Sequence, residues 1–391
     1  MKTVSVVVPT RNRQSCVKVL IKSLMDTTEK FQLIIADNSD DDSLRHDLEL
    51  YQGDPRLTYH YSSETLSVVE NFNRALDMAT GDYVAFIGDD DILSRHFFEV
   101  VILAEKNDVD AVIYGKPGRV LHYFWPGVQA SYWGDVGGCL FYSDFSGEFF
   151  QYSHTQAMAN AAARLGSGPQ EMPRAYLGLI SKKLIEKVKL NYGPVFGGCS
   201  PDVYSSHLLS ACAEKVFICD YPFIIPGASP KSTSAMRAER TDVGGLTDND
   251  HLGRFANMNW DEQVPKYYAP YTVWAQSHLD ALRMTNYKVP SSSFLFLYAR
   301  CFIFTRGHRA EILKAIRSKR SFLSCALVYA QLGPVLAFVA LQYVLEKVPA
   351  LVRKRPGGAK FKIDGCADIY QAAIKLEGEL AGRDIVLKTC H

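Results

Sequence analysis

No sign of charge dominates this chain. Its 43 Lys and Arg stand against 42 Asp and Glu, a formal net charge of +1. It therefore lacks a basic field of the size that nucleic acid requires. It also lacks any Cys-x-x-Cys pair. Its nine cysteines, Cys16, Cys139, Cys199 and Cys212 among them, are scattered singly. Such spacing reads as buried free thiols in a reducing cytoplasm. There is no visible signal peptide, since Met1-Lys2-Thr3 leads directly into a strand-like run. Internal repeats and low-complexity segments are missing as well. What remains is an ordinary globular composition over 391 residues. That length can bury a large core and divides most readily into a main domain and an appended region.

The most informative stretch is Gly81-Asp82-Tyr83-Val84-Ala85-Phe86-Ile87-Gly88-Asp89-Asp90-Asp91-Ile92-Leu93. An apolar strand runs into three adjacent carboxylates, and apolar residues follow at once. Like charges at a strand end repel each other, so folding alone does not account for them. A divalent metal does, because hard oxygen ligands suit Mg²⁺ or Mn²⁺, and such a metal in turn binds a diphosphate. The same residues also suit an acidic turn that caps the next helix with Asp91 as its N-cap. Local pattern leaves both readings open.

Three earlier segments give the carboxylates a setting. Val4-Ser5-Val6-Val7-Val8-Pro9-Thr10 is a β-branched run, followed by Arg11-Asn12-Arg13 and an amphipathic helix around Val17 to Met25. Phe31 to Ser39 predicts a second buried strand ending at Asp37-Asn38-Ser39. Leu57 to Tyr61 predicts a third, before a helix near Val68 to Ala79. The alternation of strand and helix implies an α/β fold with a mostly parallel sheet flanked by helices. Ligands bind beyond the carboxyl ends of such strands. The ends at Thr10 to Arg13, Asp37 to Ser39 and Asp89 to Asp91 should therefore converge on one crevice.

Taken in order, V-V-V-P-T-R-N-R, A-D-N-S-D-D-D, N-x-N-R-A-L-x-x-A-T-G-D-Y and F-I-G-D-D-D resemble the family 2 glycosyltransferases of GT-A fold. The resemblance covers residues 3–115 and continues more thinly to about 235, through Y-L-G-L-I-S-K-K-L, G-G-C-S-P-D-V-Y and I-I-P-G-A-S-P-K-S-T-S. It implies a metal-dependent, inverting transfer of sugar from a nucleoside-diphosphate sugar, with a UDP-sugar favoured, to a hydroxyl of a glycan or lipid-linked acceptor. It implies Mn²⁺ or Mg²⁺ held by Asp91 and Asp89. Asp89 or Asp90 would contact ribose or metal, Asp37 would accept from the base ring, and Pro9, Thr10, Arg11, Arg13 and Asn73 would frame the nucleotide. The family's usual pattern has an acid where Gly88 stands.

A second site candidate is Gly197-Gly198-Cys199-Ser200-Pro201-Asp202. Ser200-Pro201 reads as a helix start with Pro at the first helical position. Asp202 then lies in the first turn, where a carboxylate also simply complements the helix dipole. The resemblance implies that Asp202 is the catalytic base, although Pro201 precedes it in place of a second acid. His207, five residues on, reads as packing or surface. Residues 115–138 are rich in Gly and aromatics, with Tyr123, Phe124, Trp125, Tyr132 and Trp133 suited either to stack on sugar or to pack over the sheet. His154 and Gln156 are further candidates for the cleft wall. Two other functions fit less closely. One is a nucleotide-sugar-binding module without turnover. The other is a sugar nucleotidyltransferase, which needs a Gly-rich basic loop where this chain has Pro9-Thr10-Arg11-Asn12-Arg13.

The expected units are 1–115, the nucleotide-sugar half; 116–235, the acceptor half; 236–320, a helical extension; and 321–391, an apolar helical hairpin and tail. The hairpin rests on Ser321 to Leu345, which has no charged residue and is interrupted by Gly333-Pro334. Basic residues flank it on both sides: Lys314, Arg317, Lys319 and Arg320 before, Lys347, Arg353, Lys354 and Arg355 after. A single span would place one cluster outside, against the positive-inside tendency. Two short helices folded back at Gly333-Pro334 keep both clusters at an anionic cytoplasmic membrane surface. A buried helical pair or a homo-oligomer interface is the alternative.

Overall fold

The computed structural model describes residues 3–130, 134–230, 232–247, 259–318 and 321–389. Tyr132, Trp133, Lys319 and Arg320, singled out above, lie outside them. The first three strands are β1 (Val4–Thr10), β2 (Gln32–Asp37) and β3 (Leu57–Tyr61), and β4 is Tyr83–Phe86. They pair in parallel in the order β4-β1-β2-β3. Side chains alternate between faces along a strand, and here both faces are covered. Val4, Val6 and Val8 of β1, Leu33 and Ile35 of β2 and Ala85 of β4 join one core. Val7, Ile34, Ala36, Val84 and Phe86 join the other. This two-sided burial is why the strands read as continuous apolar runs.

Five more strands complete a nine-stranded sheet: Gly178–Ser181, Ala111–Tyr114, Val216–Cys219, Glu148–Tyr152 and Lys388–Thr389, in that order beyond β4. Gly178–Ser181 is antiparallel to both of its neighbours. The sheet is thus mixed but mostly parallel, as the sequence implies. A smaller sheet joins Gly227–Ala228, Leu121–Phe124, Cys139–Tyr142 and Phe361–Ile363. Tyr123, Phe124 and Trp125 are buried there, so those aromatics pack.

The C-terminal region departs from expectation. No hairpin forms at Gly333-Pro334; Phe322–Arg353 is one continuous helix of 32 residues with Pro334 and Pro349 inside. Proline removes a backbone donor, but the carbonyl it frees at 334 belongs to Ala330, which is exposed and can meet solvent instead. After this helix the chain returns to the main body. Phe361–Ile363 pairs with Cys139–Tyr142, and Lys388–Thr389 with Glu148–Tyr152. Between them the Ile369–Ala381 helix buries Ile369, Ala372 and Leu376 in the same core as β1.

Candidate functional site

The carboxyl ends of β1 to β4 border a cleft of about 480 Å³, within the usual range for small-molecule sites. Pro9, Thr10, Arg11, Arg13 and Asp89 line it. So do residues that the sequence did not single out for the site: Asn12, Asp40, Ser67, Asn71, Phe72 and Tyr176. Ser67 is there because it starts the Val68–Asp77 helix through a capping box: its hydroxyl accepts from Glu70 N at 3.0 Å, and Glu70 accepts from Ser67 N at 2.7 Å.

The three adjacent aspartates are all buried, yet each has different partners. Asp89 accepts from Thr10 Oγ1 at 2.7 Å and Arg13 Nη1 at 2.9 Å. Asp90 accepts with one oxygen from Ser229 N at 2.8 Å and Ser229 Oγ at 2.7 Å. Asp91 accepts from Gly88 N at 2.7 Å, Gly227 N at 2.8 Å and the Tyr176 hydroxyl at 3.1 Å. Like-charge repulsion is relieved by these donors and by Arg13, which lies 3.8 Å from Asp90 as well. Burial opposes the Arg13 charge, but Asp89 and Asp90 outweigh it and hold the guanidinium above its ordinary pKa. Asp91 is pushed up to about 7 by burial and by Asp90, against the pull of its three donors.

This arrangement bears on the expected metal ligands, Asp91 and Asp89. Both oxygens of Asp91 and both of Asp89 are already taken by protein donors. Asp90 Oδ1 alone accepts from none among the described residues. Among the described residues, no three Asp, Glu, His or Cys side chains form a ready metal cage either. A hard cation of the Mg²⁺ type does not require one, since it binds through one or two carboxylates plus substrate phosphates and keeps its waters. The free Asp90 oxygen fits that donor set.

Two other residues expected to contact the nucleotide, Asp37 and Asn73, form hydrogen bonds within the protein. Asp37 is fully buried and does not line the cleft. Its carboxylate accepts from Ser39 N at 2.9 Å, Ser39 Oγ at 2.6 Å and Tyr59 OH at 3.0 Å, which sets the turn after β2. Asn73 exchanges hydrogen bonds with the backbone of Phe196, donating at 2.9 Å and accepting at 3.2 Å. It thereby fixes the loop that leads to Asp202. His154 and Gln156 stay away from the cleft: burial lowers the His154 pKa, and Gln156 bonds Asn160.

Asp202 opens the Pro201–Cys212 helix, with Pro at its start as the sequence predicts. The loop before it is pinned by Ser277 of the Pro270–Met284 helix, whose hydroxyl accepts from Cys199 N at 2.9 Å and Ser200 N at 2.5 Å. Gly198 has φ +64°, and a Cβ there would lie 2.7 Å from that same hydroxyl, so only glycine lets the loop approach. Among the described residues no donor bonds the Asp202 carboxylate. Burial lifts its pKa to about 6, opposed by the charge of Arg174. Arg174 Nε is itself buried without a hydrogen-bond partner among the described residues. His207 is buried and bonds Thr285 at 2.9 Å, so it packs.

Tyr176 joins the two halves. Its ring stacks on Phe72 at 6.4 Å, and its hydroxyl feels the charges of Asp91, Asp90, Asp202 and Asp89. A Cβ at position 88 would lie 2.3 Å from that hydroxyl and 2.9 Å from Asp91 Oδ2. Gly88 and Tyr176 are thus complementary: the phenol fills the space that a side chain at 88 would need. Gly88→Ala is expected to lower stability by about 1–3 kcal/mol through overpacking. Adding Tyr176→Phe, which removes the hydroxyl, should restore part of that loss. Urea midpoints of the two single variants and the double variant check this; strictly additive losses would refute the pairing.

Residues 5–131 match the model of Glycosyl transferase family 2. The GalNAc(5)-diNAcBac-PP-undecaprenol beta-1,3-glucosyltransferase of Campylobacter jejuni is 36% identical over 119 residues, 30% of this chain and 38% of that protein. The uncharacterized glycosyltransferase YfnE of Bacillus subtilis is 24% identical over 191 residues, 48% of this chain and 41% of that protein. The chain therefore spans about two fifths of the length of the curated relatives it matches. Solved structures similar to it include S. aureus TarS 1-349 with UDP-GlcNAc, at 15% identity and TM-score 0.47, covering 81% of this chain and 89% of that one. Another is the mannosyltransferase PcManGT of Pyrobaculum calidifontis with GDP-Man and Mn²⁺, at 15% identity and TM-score 0.41, covering 97% and 87%. The segment that supplies β1 to β4 and the three aspartates is thus the part of the chain that is similar to glycosyl transferase family 2.

Proposed function

We propose that the chain is a metal-dependent, inverting glycosyltransferase that moves a sugar from a nucleoside-diphosphate sugar, UDP-linked by preference, to a hydroxyl of a glycan or lipid-linked acceptor. The observation that carries this reading is the cleft of about 480 Å³ beyond the strand ends, lined by Thr10, Arg11, Arg13, Asp89 and Tyr176, with the Tyr176 hydroxyl bonded to Asp91 at 3.1 Å. The donor lies along the strand ends, framed by Pro9, Thr10, Arg11 and Arg13. Asp90 would hold Mn²⁺ or Mg²⁺, which would stabilise the charge that builds on the departing diphosphate. Asp202 takes the proton of the acceptor hydroxyl as its oxygen attacks the anomeric carbon. The bond from that carbon to the diphosphate oxygen breaks on the opposite face, so one displacement inverts the anomeric configuration. The Campylobacter relative is named for an undecaprenol-diphosphate-linked glycan. That name supports a lipid-linked acceptor here.

A base with a pKa near 6 is poised for this role at neutral pH. Below that value the carboxyl is protonated and cannot accept a proton, so transfer should rise with pH through about 6. The Arg174 charge holds that value down. Arg174→Gln is therefore expected to move the acid limb to higher pH, a shift that a pH profile of kcat/KM would detect. The reading itself is tested by a thermal-shift screen of nucleotide sugars with and without Mn²⁺, followed by assay of nucleotide release. Stabilisation by no nucleotide sugar would refute it. Binding without hydrolysis or transfer would leave a binding module.

A further inference from the structure

The Phe322–Arg353 helix has two apolar faces, and only one is covered. Leu332 and Val339 are buried against the helical body, with Val328, Val335 and Leu336 packed beside them. Phe338 and Tyr343 meet Phe296 and Phe304 of the Ser293–Phe304 helix. The other face carries Leu323, Leu327, Leu341, Leu345, Val348 and Val352, each at least 45% exposed. The last four recur at intervals of four, three and four, which puts them on one stripe of a helix. Of 16 exposed large hydrophobics among the described residues, ten lie on this helix. Isolated exposed apolar residues are ordinary, but so large a share on one element marks a contact surface.

The same helix is long and apolar enough to cross a membrane, yet both of its ends are fastened to one body. Ahead of it, Ile312, Ala315 and Ile316 of the Arg309–Arg317 helix are buried in the helical core. Behind it, Phe361–Ile363 joins the smaller sheet by pairing with Cys139–Tyr142. A span needs its two ends on opposite sides of about 30 Å of hydrocarbon, which these attachments forbid. The charge around the helix is basic. Lys314, Arg317, Arg353 and Lys354 are exposed at its two ends, and Lys347 is crowded by the charges of Arg237 and Arg240. Glu346 is the one acid within it. Two copies meeting on this face would bring like charges together, whereas anionic headgroups neutralise them.

We infer that the Phe322–Arg353 helix lies in the plane of an anionic bilayer surface, its exposed stripe entering the headgroup boundary and its basic ends resting on lipid phosphates. For its purpose this rests on the lipid-linked-acceptor reading; its substance is the helix and its two anchors. The test uses the full-length chain with vesicles of phosphatidylglycerol and phosphatidylcholine. The chain should sediment with anionic vesicles at low salt, much less with pure phosphatidylcholine, and be released by high salt with alkaline wash. Leu341→Glu with Leu345→Glu should cut vesicle binding at least tenfold while nucleotide-sugar binding is unchanged, which also shows that the variant is folded. Resistance of the vesicle-bound protein to salt and alkaline extraction would overturn the in-plane placement. A dimer in lipid-free solution that the same double substitution dissociates, with no vesicle binding, would overturn the lipid assignment in favour of a second copy. Vesicle binding by a chain that binds no nucleotide sugar would leave this inference standing and remove the proposed enzyme.

Discussion

Asp202→Asn is expected to lower transfer by a factor of about 10²–10⁴, the usual contribution of a positioned general base, while nucleotide-sugar affinity stays within about twofold. The substitution keeps size and shape, and no donor is lost because none bonds the Asp202 carboxylate among the described residues. The loop in front of it remains pinned by Ser277, so a folding defect does not mimic the loss. Two readouts separate this role from mere complementation of the helix dipole. The acid limb of the pH profile near 6 should vanish in the variant, and the product of the wild-type chain should be inverted at the anomeric carbon. A dipole role alone predicts lower stability by about 0.3–1 kcal/mol with turnover and pH profile unchanged. Retained anomeric configuration would exclude single displacement whatever Asp202 does.

Much of the nucleotide half was legible because local pattern and tertiary role agree there. β1, β2 and β4 are buried on both faces, so they stand out as unbroken apolar runs, and parallel pairing then forces their carboxyl ends together. Pro201 announced its helix because proline suits only the first turn. What local pattern did not show is long-range. Asn73 looks like a ligand in sequence, but its amide meets Phe196, 123 residues away. Asp37 sits at a strand end as expected, yet Ser39 and Tyr59 take up its oxygens. Nothing near Gly88 tells that Tyr176 will fill its space; the missing acid in the motif was the only hint. The two strands of the tail, Phe361–Ile363 and Lys388–Thr389, are three and two residues long, too short for periodicity to register. Gly333-Pro334 suggested a break because proline in a helix interior costs about 3 kcal/mol or more. Packing of Leu332, Val335 and Val339 on either side of it outweighs that cost.

Asp90→Asn and Asp91→Asn should separate metal binding from structure. At position 90 the amide oxygen can still accept from Ser229, so the fold should be kept. Metal-dependent affinity for nucleoside diphosphate should fall by more than the 10–100-fold that loss of an outer-shell partner costs. At position 91 an amide cannot satisfy Gly88 N, Gly227 N and Tyr176 OH together. Each buried donor left unpaired costs about 1–3 kcal/mol, so this variant should lose stability first. Its pH dependence carries a second signature. With a folded pKa near 7 against about 3.9 for an unfolded aspartate, native Asp91 keeps its proton where the unfolded chain has released it. Stability from this group is therefore full below about pH 4 and declines as pH rises toward 7. Asp91→Asn should remove that part of the slope, as urea midpoints taken across the range would reveal, and Asp90→Asn should leave most of it. Calorimetric titration of UDP with and without Mn²⁺ completes the comparison. If Asp91→Asn abolishes the Mn²⁺ requirement and Asp90→Asn retains it, the metal belongs to Asp91 after all, and its three protein donors must give way when the ion binds.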